Sequence, residues 1–351
     1  RQMCIRDSYI AIEELQPQEG EKAKRLLLSF DLKPGENIQV KVGLSTVSIE
    51  GAQEALEKEN PDWNFEKVKA QSAQAWNNLL SRIDVSGTEE QKVNFYTSIY
   101  HLCIQPNNIT DVDGRYRGPN DSILYSPIGE YYSTLSLWDT YRAAHPLYTL
   151  LVPEKVNGFV NSMLSHCDTQ GYLPIWALWG KENHCMIGNH AIPVIVDAYL
   201  KGYKGFDPER AYEAIRKSSL ESHPKSDWET YNQYGYYPFD LIPEESVSRT
   251  LESCYDDYCV AQMAKALGKK EDYNFFSKRA RAYTSLFDPV TKLMRGKDSQ
   301  GKWREPFDPF RLSHAGTSGG DYTEGNAWQY VWHVQHDVDS VSYTHLTLPT
   351  I

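Results

Sequence analysis

DVSG, Asp84–Gly87, divides the chain into two parts of different character. On its C-terminal side helical periodicity recurs to the end, with helices expected near 89–104, 137–151, 155–167, 190–200, 208–219, 245–267, 270–287 and 323–333. Few of the runs between them are long enough for a strand of a sheet. Helices joined by long, decorated loops suit a helical toroid better than a four-helix bundle, whose connections are short. No short-period repeat supports a solenoid. On the N-terminal side, residues 52–82 read as helix broken near Pro61, with Val68, Ala75 and Leu79 roughly on one face. Before that the pattern is β: YIAIEEL from Tyr9, RLLLSFDL from Arg25, a turn at Pro34-Gly35, and the alternating NIQVKVGLSTVSI from Asn37. The expected fold is mainly α. The last strands of a β-domain occupy 9–50, a helical connector 51–86 and a helical domain 87–340.

Composition narrows the function. At 351 residues the chain has ample material for a core, and 36 basic against 47 acidic residues give a net charge of -11. That charge disfavours nucleic acid and anionic membrane surfaces as partners. No apolar run approaches the roughly 20 residues of a membrane span, and the first residues hold no stretch of signal-peptide type. RQMCIRDS (1–8) and VSYTHLTLPTI (341–351) continue neither neighbouring pattern; both resemble translated sequencing-adapter read-through and are set aside. Without Cys4 five cysteines remain, an odd number lacking metal-ligand spacing, so neither a disulfide framework nor a zinc site is indicated. Aromatics reach 13%, with 24 Tyr and 9 Trp, several in polar loops. Flat aromatic faces beside carboxylates and amides suit a sugar, with its apolar face and rim of hydroxyls.

Three stretches carry that signature. In DYTEGNAWQYVW (Asp321–Trp332), Glu324 opens the expected helix among Tyr322, Trp328, Tyr330 and Trp332. Shielding by these rings would help it hold a proton, as a general acid must. The competing explanation is a capping box, since Asp321-x-x-Glu324 has the spacing. SLWDTYR (Ser136–Arg142) places Trp138, Asp139 and Arg142 on neighbouring faces, with Ser136 and Asp139 again at capping-box spacing. LPIWALWGKENHCMIG (Leu173–Gly188) crowds Trp176, Trp179, Glu182, His184 and Cys185 into a loop too polar for core, with a hydrogen-bonding role favoured for His184 over metal ligation. Trp138, Asp139, Trp179, Glu182 and Asn326 are expected around one cavity with Glu324. Residues 107–120 tempt a calcium-loop reading, but twelve positions from Asp111 end at Ser122 and not at the required Glu; a turn burying Tyr116 and Arg117 fits better. Asp256-Asp257, adjacent on a helix, read as a solvated face plus one buried bond.

At these residues the sequence resembles the glycoside hydrolase family 92 exo-α-mannosidases. The resemblance runs through YYSTLSLWDTYRAAHPLYTLL from Tyr131, LPIWALWGKENHCMIGNHAIPVIVDAYLKG from Leu173, SVSRTLESCYDDYCVAQMAKALGK from Ser246, PFDP from Pro306 and YTEGNAWQY from Tyr322. It implies a β-sandwich followed by an (α/α)6 barrel, of whose twelve helices roughly two-thirds are present. It also implies calcium-dependent, inverting release of terminal α-linked mannose, α-1,2-linked above all, from mannans or N-glycans. The general acid falls on Glu324 and substrate contacts on Trp138, Asp139, Arg142, Trp179, Glu182, His184 and Asn326. The general base and the Ca2+ ligands come from a later part of family members, so no metal ligand is expected in this chain and the chain alone is expected to be inactive. The resemblance further implies a periplasmic, extracellular or cell-surface protein acting on a mannose-containing oligosaccharide or glycoprotein glycan. Two alternatives are a non-catalytic carbohydrate-binding remnant and another (α/α)6 glycosidase. A polysaccharide lyase is disfavoured by the acidic balance, because its acidic substrate calls for basic surroundings.

Overall fold

The computed structural model describes residues 2–5, 11–15, 25–313 and 320–341. Most of the two terminal stretches set aside above lies outside these residues. Gln2–Ile5 pairs antiparallel with Val40–Gly43, and Ala11–Leu15 with Arg25–Ser29. Helices α1 (Ile49–Glu59) and α2 (Phe65–Leu80) follow, interrupted at Pro61 as expected. Ser48 starts α1 by accepting from the Gly51 N–H, and Asn64 starts α2 by accepting from Lys67, each satisfying a donor that helix geometry leaves open.

The helical part begins with α3 (Glu89–Leu102), fixed by a full capping box between Thr88 and Gln91. It continues through α4 (Leu137–Thr140), α5 (Ala144–Leu151), α6 (Pro153–Gln170), α7 (Ala191–Leu200), α8 (Pro208–Leu220), α9 (Trp228–Tyr234), α10 (Ser246–Ala266), α11 (Lys270–Arg279) and α12 (Ala327–Tyr330). Helix α6 packs on α5, α7 and α8, and α10 on α7, α8 and α11. The architecture is mainly α, with successive helices packed as in an (α/α)6 barrel. The main core lies between α6, α7, α8 and α10, around Met163, Leu164, Ile192, Ile195, Ile215 and Val260.

Three expectations are corrected. The single helix expected over 137–151 is two, because the chain turns at 141–143. The helix expected over 270–287 stops at Arg279, giving way to a short 3-10 turn (Ala282–Ser285) and the hairpin Phe287–Asp288 with Leu293–Met294. Around the calcium-loop candidate the chain forms a hairpin, Arg115–Arg117 with Ile123–Tyr125. Its Tyr116 is buried and stacks on Tyr131 at 3.9 Å, as the turn reading expected, whereas Arg117 is only half-buried.

Helix α10 is unusual. A helix buried all round is normally apolar, yet Glu252, Asp256 and Asp257 on it are 0%, 1% and 0% exposed. Asp257 takes a bidentate ion pair from Arg279 at 2.6 and 2.7 Å, beneath the Trp228 ring. Asp256 accepts from the Asn189 N–H at 2.7 Å and meets His190 at 2.9 Å. The solvated face expected here does not exist: about 100° of divergence sends the two aspartates into two different buried networks.

Candidate active site

Helix α10 also holds the candidate site together at its first turns. The backbone N–H groups of Val247 and Ser248 donate to the Asp321 carbonyl at 3.0 and 3.1 Å, and the Glu245 N–H donates to the Gly320 carbonyl at 2.6 Å. The Asp321 carboxylate receives Arg304 through two hydrogen bonds of 2.8 Å and Ser246 Oγ through another of 2.8 Å. Thr323 donates its N–H to Ser248 and its hydroxyl to Glu245. The segment 320–323 is thus tied down at every residue but Tyr322, whose hydroxyl donates to the Met294 carbonyl. Glu324 comes next, exposed, with φ at 46°. A non-glycine residue in that left-handed region is strained, and such strain collects where surroundings over-determine the backbone for a task.

The capping explanation for Glu324 is overturned. Helix α12 starts three residues later, its capping box formed by Asn326 and Gln329. The Asp321 carboxylate is occupied by Arg304 and Ser246 and does not cap α12. The aromatic shield is also absent: Tyr322 and Tyr330 turn into the core, while Trp328 is 47% and Trp332 61% exposed. Asn326, expected to contact substrate, uses its side chain on the Gln329 N–H.

Trp138, Asp139 and Arg142 do lie together. The Arg142 guanidinium sits 4.9 Å from the Trp138 ring and 4.9 Å from the Tyr141 ring, with its Nε donating to the Trp138 carbonyl at 3.1 Å. Ser136 does not cap α4; its hydroxyl donates to the exposed Asp139 carboxylate and orients it. Beneath them lies Glu252, which no sequence argument singled out. Its Oε1 accepts from Trp138 Nε1 at 2.9 Å and lies 3.5 Å from Arg142 Nη2. Its Oε2 is 2.8 Å from His190 Nε2, 2.8 Å from His333 Nε2, and 3.4 Å from the Tyr141 hydroxyl. The two histidine contacts are close ion pairs whose N–H directions fall short of hydrogen-bond alignment. Burial alone would raise the Glu252 carboxyl, but His333 and His190 hold it well below the usual carboxylate range. Burial likewise works against charge on His190, yet Asp256 and Glu252 push it up to about 9.

Thr323, the residue before Glu324, is linked to this assembly through Tyr330. The Tyr330 hydroxyl donates to the Thr323 carbonyl at 2.8 Å, and its ring packs 5.6 Å from His333, one of the Glu252 partners. Through Trp138, Glu252 and His333, three sequence-distant stretches therefore meet around one buried carboxylate.

The Leu173–Gly188 stretch divides. Trp176 lies on a strand (Trp176–Leu178) paired with Leu135–Ser136, next to Trp138, although it was not placed in the site. Trp179, three residues on, runs away from Ser136 at about 3.3 Å per residue. It lines a different cleft of about 600 Å³, with Leu44, Thr46, Asn60, Asn108 and Asp111. None of the other expected contacts lines that cleft. Glu182 is buried, and its oxygens accept the N–H groups of Ile175, Trp176 and His184 at 2.7, 3.0 and 2.8 Å. It is a clasp for its own hairpin, not a group aimed at a ligand. His184 takes a hydrogen-bonding role, 2.7 Å from the Tyr172 hydroxyl. Among the described residues, no group of three or more His, Cys, Asp or Glu side chains is placed to hold a metal ion.

Residues 51–344 match the glycosyl hydrolase family 92 catalytic domain. The chain belongs to that family. Among solved family 92 structures, an α-mannosidase from Bacteroides thetaiotaomicron in complex with mannoimidazole is 38% identical, with a TM-score of 0.90 over 97% of this chain and 47% of its own. An inverting family 92 mannosidase from the same bacterium is 29% identical, with a TM-score of 0.87 over 97% of this chain and 48% of its own. An uncharacterized secreted glycosidase of Arthroderma benhamiae is 27% identical over 344 residues, 87% of this chain and 40% of its own length. The chain thus spans less than half the length of each. A family 92 assignment accounts for both halves of the fold, the strands before α1 and the helical domain after it.

Proposed function

We propose that the protein carrying this chain is an inverting α-mannosidase, with Glu324 as the general acid. The observation that carries the reading is the presentation of Glu324: an exposed carboxyl on a strained backbone, directly after the segment 320–323 that is held against α10, the helix whose Glu252 supports Trp138 and Arg142. The two Bacteroides proteins, an α-mannosidase and an inverting mannosidase, support the substrate and the stereochemistry. Trp138 and Arg142 offer the sugar a flat face and a cation, and Asp139 accepts from its hydroxyls. Holding a proton on Glu324 requires desolvation; with Trp328 and Trp332 turned outward, bound glycan closing over the carboxyl supplies it.

The finer reading is removal of terminal mannose, α-1,2-linked, from mannans or N-glycans, outside the cytoplasm, by a calcium-dependent enzyme. The ligands of the ion, like the general base, would come from parts of the full-length protein outside this chain, as the family resemblance implies. In an inverting enzyme that base stands about 6.5–9.5 Å from the acid, leaving room for water. The test is to incubate the full-length protein with α-1,2-, α-1,3- and α-1,6-mannobiose, with and without a chelator, and to follow the released sugar by proton NMR. Initial appearance of β-mannose from the α-1,2 substrate, lost on calcium removal, is expected. Initial α-mannose refutes inversion, chelator-resistant turnover refutes the calcium requirement, and mannose binding without turnover favours the non-catalytic alternative.

A further inference from the structure

Glu252 is fully buried and ionic, on a helix most of whose residues are buried. A buried charge costs several kcal/mol unless it is well paired, and such pairs are often replaceable by apolar residues without loss of stability. The partners of Glu252 show a more specific use. The indole N–H is the only donor on Trp138, and it is given to Glu252 Oε1 at 2.9 Å, which fixes the rotation of the ring. Arg142 is held from two sides, by Glu252 at 3.5 Å and by the Trp138 carbonyl at 3.1 Å, and so lies over that ring. The other Glu252 oxygen meets His190 and His333, which tie the same carboxylate to the head of α7 and to the residues after α12. Asp256, one turn along α10, faces His190 from the opposite side, and Tyr141 stacks on the His190 ring at 4.0 Å. One carboxylate thereby connects the sugar-facing pair to the helix that clamps the segment before Glu324.

We propose that Glu252 is a positioning residue: its carboxylate, and not its bulk, sets the orientation of the Trp138 indole and the Arg142 guanidinium at the sugar face. The inference rests on the reading of Trp138 as a sugar contact, and its first measurement does not depend on that reading. In full-length protein labelled with ¹⁵N-tryptophan, the Trp138 indole resonance is assigned by its loss in Trp138→Phe. Its proton should exchange slowly in the wild type and in Glu252→Gln, which keeps an acceptor, and roughly 10- to 100-fold faster in Glu252→Leu. Fast exchange in the wild type itself overturns the proposal even if the variants do not fold. In the second measurement, Glu252→Leu and Trp138→Phe should each raise KM for an aryl α-mannoside by roughly tenfold, and the double variant no further than either alone. Additive effects overturn the proposal. A wild type that neither binds nor cleaves α-mannosides removes the functional reading, and the exchange data then decide alone whether Glu252 orients the indole.

Discussion

At the scale of single residues, the proposed chemistry rests on Glu324 and on the charges beneath Trp138. Glu324→Gln in the full-length protein should lower turnover of a disaccharide by about 10²–10⁴-fold, with a smaller loss on aryl mannosides whose leaving groups need little protonation. The variant should keep the fold, because the capping box of α12 is formed by Asn326 and Gln329; a stability loss with normal turnover would reverse the assignment. The buried pair gives a pH signature. His190 titrates near 6.5 when unfolded and is pushed up to about 9 when folded, by Asp256 and Glu252 against burial. Its contribution to stability is complete below about 6.5 and disappears as pH rises through about 9. Glu252 is depressed, so its contribution is present above about 4.3 and is lost as pH falls. Denaturant midpoints measured across pH should therefore fall on both flanks, and Glu252→Gln should flatten the alkaline one. Glu324, Trp138 and Asp139 could be singled out from sequence because they sit in aromatic, polar stretches. Glu252 could not, since one glutamate in a long helix looks like a solvated position. The available hint was its i, i+4 spacing to Asp256, which puts both acids on one face.

At the scale of elements, the long helices were legible because their apolar faces repeat over several turns, and the interruption at Pro61 was legible because proline lacks the N–H. What escaped notice was shorter. Helix α12 is only four residues, and its start depended on choosing between two boxes of equal spacing, Asp321–Glu324 and Asn326–Gln329. The tertiary partner Arg304 decided it by occupying Asp321. The two-residue strands around Ser136 and Glu182 were equally hidden, being held by Glu182 and by pairing on either side of Trp176–Leu178. Helix α11 ends in an element-scale lock, where Arg279 reaches Asp257, Asn232 and the Ser219 carbonyl. Burial raises the Asp257 carboxyl to about 6 even with the guanidinium beside it. Arg279→Ala should destabilise by about 3–5 kcal/mol, because a buried carboxylate loses its partner, and Asp257→Asn in the same chain should recover part of that. Chemical denaturation of the two variants checks both statements.

At the scale of the whole molecule, the fold class followed from the change of pattern at Asp84–Gly87, whereas the meeting of Trp138, Glu252 and His333 around one carboxylate did not follow from any local rule. It depends on which loops the helical packing brings together, and Trp179 shows how three residues of strand can carry a plausible contact into another cleft. Helix α2 buries none of its residues; its Phe65 is 66% exposed, and Val93 and Tyr100 on the neighbouring α3 are 63% and 39% exposed. Exposed apolar surface of that kind promotes association. The 351-residue chain alone should therefore self-associate and bind a hydrophobic dye, and it should be inactive on mannosides; light scattering after gel filtration, dye fluorescence and an aryl-mannoside assay test this. A monodisperse, dye-silent and active monomer would contradict it. The pinning of 320–323 to the first turns of α10 has a consequence for how such enzymes diversify. The chain leaves α10 at Ala266 and returns to its beginning at Gly320, so the excursion between has both ends anchored on one helix. Doubling the length of a flexible loop costs only about 0.6 kcal/mol in closure entropy. Descendants can therefore lengthen, shorten or redecorate the loops between the packed elements of that excursion while Glu324, the proposed proton donor, stays where it is.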